Sequence, residues 1–131
     1  MLLEQCKGFL NTPPLWVNTQ FGMQQFRFPE IDLTDLRPKA IPNGMRLGHQ
    51  MERVFRLLLE HDSTYVVLLS NLPIKGDNRT LGEIDFILRE VQSQKSIHVE
   101  LTYKFYLVVP EISEPIHRLT GPNKRDMFFT K

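Results

Sequence analysis

The sequence predicts a mixed α/β protein of the α+β kind: a helix, a meander of three antiparallel strands, and the start of a second helix. Three observations carry this expectation. Apolar residues recur at helical spacing through Leu47, Met51, Val54, Phe55, Leu58 and Leu59. A β-branched and aromatic run fills Thr64–Leu69. Two further stretches, Leu81–Arg89 and Ile97–Val109, alternate apolar and polar residues.

The helix is bounded by Asn43-Gly44 before it and His61-Asp62-Ser63 after it. The run TYVVLL reads as a buried strand that continues to Leu72, where Pro73 marks an edge or a bend. Lys75-Gly76-Asp77-Asn78-Arg79 is a turn cluster with Gly76-Asp77 as the reversal. In the next strand Ile84, Phe86 and Leu88 share one face, and Glu83, Asp85, Ile87 and Arg89 the other. After a polar turn at residues 92–95, Ile97, Val99, Leu101, Tyr103, Phe105 and Leu107 share a face, opposite His98, Glu100, Thr102, Lys104 and Tyr106. Pro110 and Pro115 open a loop, and Asn123 suits the cap of a second helix.

Length and composition fit one domain, residues 1–131, with 131 residues, 41% hydrophobic and 24% charged. Residues 45–131 form its core. Residues 1–44 read as an irregular N-terminal arm, punctuated by Pro13-Pro14, Pro29, Pro38 and Pro42, with a short helix near residues 2–10. The aromatics between the prolines, Trp16, Phe21, Phe26 and Phe28, call for burial, and Trp16 reads as a packing anchor.

A net charge of +1 gives no whole-chain attraction to nucleic acid, so DNA binding would need a local basic patch. The single cysteine, Cys6, excludes an intramolecular disulfide and a zinc site built on several cysteines, and reads as a packing residue. It suits a reducing compartment. No apolar run nears the roughly 20 residues needed to cross a membrane, and Glu4, Gln5 and Lys7 interrupt the first apolar stretch. The expected location is cytoplasmic, with no membrane partner.

The informative constellation is the hairpin of the two alternating stretches. Asp85 and Glu100 share a face if paired residue numbers sum to an odd number. A turn at Ser93-Gln94 sets Asp85 opposite Thr102 and Glu83 opposite Lys104. A turn at Gln92-Ser93 sets Asp85 directly opposite Glu100. Two adjacent carboxylates repel unless something positive lies between them, and a hard divalent cation would resolve this. Lys104 could then hold or deprotonate a water or stabilise developing charge. The competing reading is an ordinary solvated face with acid–base cross-strand pairs. Glu52 sits at the edge of the helix's apolar stripe, from which a carboxylate could reach the sheet. His98 beside Glu100 could relay a proton or act as an outer group.

The strings RTLGEIDFILR, HVELTYKFYL and GPNKRDMFF, with the helix RLGHQMERVFRLLLEH and the segments PPLW and FGMQQFRFP, resemble the bacterial domain-of-unknown-function family eighteen fifty-three. The resemblance spans most of the chain. It implies a restriction-endonuclease-like core of the PD-(D/E)XK nuclease-like superfamily. It further implies Asp85 and Glu100 as ligands of magnesium or manganese, Glu52 as the first-helix acid and Lys104 as the catalytic lysine. Glu83, His98 and Thr102 become accessory residues. Three residues, Leu101-Thr102-Tyr103, separate acid from lysine where the superfamily pattern has one, which lengthens the gap by roughly 7 Å of strand. The chain also stops just inside the second helix, as a truncated member would.

The expected activity is metal-dependent hydrolysis of DNA phosphodiesters, with Lys75, Arg79 and Lys95 at the hairpin ends touching phosphates. The alternative is an inactive or truncated module of the same fold that binds nucleic acid or a protein. An uncovered sheet surface would in either case favour self-association.

Overall fold

The structure, a computed structural model, describes residues 2–103, 106–121 and 128. The protein is α+β, with two α-helices and antiparallel sheets among the described residues. The chain divides into two compact units, one of Met1–Pro13 with Phe26–Thr102, the other of Pro14–Gln25 with Tyr103–Lys131.

The first unit is built on two helices, α1 (Leu2–Asn11) and α2 (Leu47–His61). Helix α2 spans the predicted apolar stripe, and Met51, Val54, Phe55, Leu58 and Leu59 are its buried residues. No side chain caps its start, but Gln50 reaches back to the Met45 carbonyl at 2.7 Å. At its end the Asp62 N–H donates to Leu58 O at 3.0 Å. The Asp62 carboxylate then accepts from Thr64 N at 3.2 Å, turning the chain into the first long strand.

That strand, β3 (Tyr65–Gly76), follows the short β1 (Thr19–Gln20) and β2 (Met23–Gln24) of the second unit. It pairs antiparallel with β4 (Arg79–Glu90), which pairs antiparallel with β5 (Ser96–Val99), in the order β3-β4-β5. The reversal between β3 and β4 falls at Asp77-Asn78, one residue later than predicted, because Asn78 takes the left-handed conformation at φ 61°. The register shifts between Val67 and Leu69, leaving Leu68 as an extra residue.

Beneath the sheet, Phe55 of α2 is the hub of an aromatic cluster. Its ring centroid lies 4.9 Å from Phe86, 5.4 Å from Phe26 and Phe28, and 6.0 Å from Phe9. Phe86, Leu88 and Val99 complete this layer from the sheet. The opposite side of α2 packs Met51, Val54 and Leu58 on Cys6 of α1 and on Leu36. Cys6 is fully buried, as a packing residue, and burial pushes its thiol above the ordinary range.

Two expectations are corrected. The run at Thr64–Leu69 is not a buried strand: Val66, Leu68 and Leu69 are 42%, 40% and 47% exposed. It is an edge strand packed on one side only, so its apolar continuity reflects β propensity rather than two-sided burial. Nor does the last alternating stretch run unbroken to Val109. It stops at Val99 and resumes as β6 (Leu107–Val108), which pairs antiparallel with β7 (Leu119–Thr120) in the second unit. The Leu101 N–H, which continued pairing would have turned to the backbone of β4, is taken by the Asp85 carboxylate at 2.9 Å.

In the second unit β1 and β2 form a hairpin with positive φ at Phe21 and Gly22. Trp16 donates its indole N–H to Met23 O at 3.2 Å and meets Phe128 edge-on at 5.6 Å. Phe128 also meets Tyr106, at 5.2 Å. A 3-10 turn, Pro115–His117, precedes β7. The predicted second-helix start at Asn123 lies outside the described residues.

Candidate functional site

Phe86↔Val99 and Ile87↔His98 fix the register of β4 on β5 at the odd sum that brings Asp85 level with Glu100. The loop between the strands is longer than a two-residue turn. It closes with the Glu90 N–H on Lys95 O at 2.9 Å and is centred on Gln92-Ser93, one of the two positions the sequence left open.

Asp85 lies where pairing lapses on both sides. Toward β3, the ladder passes from Ser70↔Phe86 to Leu72↔Ile84 and skips Asn71, which sits mid-strand at φ 51°. Toward β5, the strand ends one residue before Glu100. The Asp85 N–H faces Glu100 Oε1 at 3.5 Å, and Asp85 Oδ2 holds the Leu101 N–H. His98 Nε2 is 2.5 Å from the same Glu100 Oε1. Burial pushes the Glu100 carboxyl above its ordinary range; the His98 hydrogen bond pulls it back and the Asp85 carboxylate raises it again. Glu100 thus holds its proton more tightly than an ordinary carboxyl, and a cation beside the two carboxylates would offset the repulsion that Asp85 adds.

The other predicted residues distribute as follows. Glu83 pairs with Pro73 and is exposed. Thr102 follows the end of β5 in irregular chain and is half-buried. Lys104 lies outside the described residues. Lys75 and Arg79 flank the β3–β4 reversal, whereas Lys95 follows the far end of β4. A 12-residue strand separates these ends by about 35 Å, so the three lysine and arginine side chains do not form one patch.

Glu52 is half-buried on the flank of α2, with its Oε2 3.4 Å from His49 Nδ1. It lines a cavity of about 390 Å³ with Met45, His49, Arg53, Arg56, Asn71 and Phe86. Phe86 faces α2, and strand alternation turns the neighbouring Asp85 to the other side of the sheet. Glu52 is thus grouped with basic residues rather than with the carboxylate pair. The sequence offered one signal for this grouping: His49, Arg53 and Arg56 recur at helical spacing beside Glu52.

Among the described residues, no group of three or more histidine, cysteine or acidic side chains is arranged to hold a metal. Asp85 and Glu100 fit a cation only as a two-carboxylate set completed by water, a mode that magnesium accepts. No described helix is long and apolar enough to cross a membrane.

No curated protein and no solved structure matches the chain. A family does match, over residues 30–131, and that span takes in α2, all three strands of the large sheet and both carboxylates. The chain belongs to the family described as Domain of unknown function (DUF1853).

Proposed function

We propose that this protein is a metal-dependent nuclease that hydrolyses DNA phosphodiesters on a restriction-endonuclease-like core. The observation that supports this reading best is the β4–β5 register, which sets Asp85 beside Glu100 where the strands part. Both carboxylates would hold a magnesium or manganese ion, which supplies Lewis acidity toward a phosphoryl oxygen and activation of water. His98 fixes Glu100 Oε1 and so orients the carboxylate. Lys104 is proposed as the cation that stabilises developing charge. Glu52 lines the α2 cavity, on the other side of the sheet from the carboxylate pair, and is given no part in the metal chemistry. The order of α2 followed by β3, β4 and β5 agrees with the core that the superfamily reading requires.

The test is cleavage of linear, nicked and single-stranded DNA with magnesium or manganese, wild type against Asp85→Asn. Metal-dependent cutting that vanishes in the variant is expected. Calorimetry showing no magnesium or manganese uptake at millimolar metal would sink the reading.

A second reading, a non-cutting module of the same fold that binds nucleic acid or a protein, draws on a separate observation. Asp85 Oδ2 and Glu100 Oε1 already accept hydrogen bonds from the protein itself. On that reading metal uptake fails while binding persists. Either way, we place the protein in the cytoplasm on the strength of its single cysteine. The exposed Val66, Leu68 and Leu69 are the proposed surface for self-association.

A further inference from the structure

The cavity between α2 and the sheet has a lining of its own, independent of Asp85 and Glu100. Its lining joins the apolar Phe86 and Met45 to polar side chains. His49, Arg53 and Arg56 lie four and three residues apart on one flank of α2, so their side chains overlook the same space. Arg56 donates to Ser70 Oγ of β3 and lies 3.5 Å from Glu60 at the helix surface. It is a fixed guanidinium. Arg53 is exposed and makes no hydrogen bond or ion pair among the described residues. It is a free planar cation at the mouth.

Opposite stands Asn71. Strand alternation alone would turn it to the face that Asp85 occupies. Its left-handed backbone, at φ 51°, breaks that alternation, and the residue lines the cavity. Asparagine tolerates this conformation better than most residues, yet a mid-strand position still costs about 1 kcal/mol or more. Glu52 adds an acceptor, restrained by His49. Two guanidinium groups, an amide and a carboxylate thus line one cavity together with two apolar side chains. A purely anionic ligand would be repelled by Glu52, and a cation by the arginines. A ligand with a phosphate at one end and an amino-bearing ring at the other satisfies both. The volume of about 390 Å³ is within the range of small-ligand pockets.

We propose that this cavity binds a nucleotide. Arg53 and Arg56 take the phosphate, and Asn71 and Glu52 take the polar edge of the base. The nucleotide is either free or a unit of a single strand.

The test uses a fluorescent adenosine monophosphate and a fluorescent single-stranded 12-mer, each titrated by anisotropy in chelator. Metal is thereby excluded, and failure of the carboxylate site cannot mimic failure here. Saturable binding is expected, displaced by millimolar inorganic phosphate. Arg53→Ala should weaken it about tenfold, the loss of one charge-assisted contact. Arg53→Lys should recover part of the loss. Lys39→Ala, which removes an exposed charge elsewhere, should leave it unchanged. Comparable affinity for both probes assigns the site to free nucleotide, and binding of the 12-mer alone assigns it to the polymer. Absence of saturable binding to either, or equal losses in Arg53→Ala and Lys39→Ala, overturns the proposal.

Discussion

Replacing Asp85 by alanine removes the acceptor of the Leu101 N–H and, in the same step, a negative charge beside Glu100. The first loss costs about 1–2 kcal/mol and the second returns part of it. A shift in melting temperature of only a few degrees, of either sign, is therefore expected in metal-free protein. The Glu100 pKa should move down part of the way, since burial, its largest cause, remains. Carboxyl-detected NMR titration measures both variants. Because the folded protein holds the Glu100 proton more tightly than the unfolded chain does, this carboxyl contributes stability in full below its unfolded pKa of about 4.3. That contribution is lost as pH rises through the folded value. Melting curves across this range in chelator should show the decline in wild type and a flatter profile in Glu100→Gln. Asp32 has the reverse sign. The Thr34 hydroxyl and N–H hold its carboxyl below the usual range, so its contribution is lost as pH falls.

At the scale of elements, Phe55→Ala should be the most damaging change in α2. It empties the centre of the aromatic cluster, and a loss of about 3–5 kcal/mol is expected from denaturant titration. Leu69→Lys on β3 should cost under about 1 kcal/mol, because the residue is already 47% exposed. If the open sheet face drives self-association, the same change should lower the mass seen by light scattering. The extent of α2 and the burial of Phe86 and Leu88 were legible in the sequence because single-period patterns encode them. The odd-sum register was legible as one of two options, since parity limits pairing without choosing the turn. The end of β5 was not. Alternation runs on past Glu100, whereas in the structure the Leu101 N–H goes to the Asp85 carboxylate instead of the backbone of β4. Helical spacing puts Arg53 and Arg56 beside Glu52, but the addition of Asn71 to that group was hidden for a related reason. It depends on a backbone angle at Asn71 that no periodicity records.

For the whole molecule, the division at Thr102 makes a direct prediction. A chain ending there retains α2, β3, β4, β5 and the aromatic cluster. Circular dichroism should show the helix and sheet signals kept, with a cooperative melt. Loss of the cooperative transition would mean that the unit of Met1–Pro13 and Phe26–Thr102 does not stand without residues 103–131.

Helix α2 and the three strands after it are neighbours in the chain as well as in space. Each pairing closes a short loop, so this portion of the fold has low contact order and should form early and fast. Phe9 and Phe28 reach the same cluster from far earlier in the sequence and should dock late. In stopped-flow measurements Val67→Ala and Leu88→Ala should chiefly slow folding, whereas Phe28→Ala should chiefly speed unfolding. The route into the native state thus follows the order of translation only in part: the segment made before α2 is the one that waits.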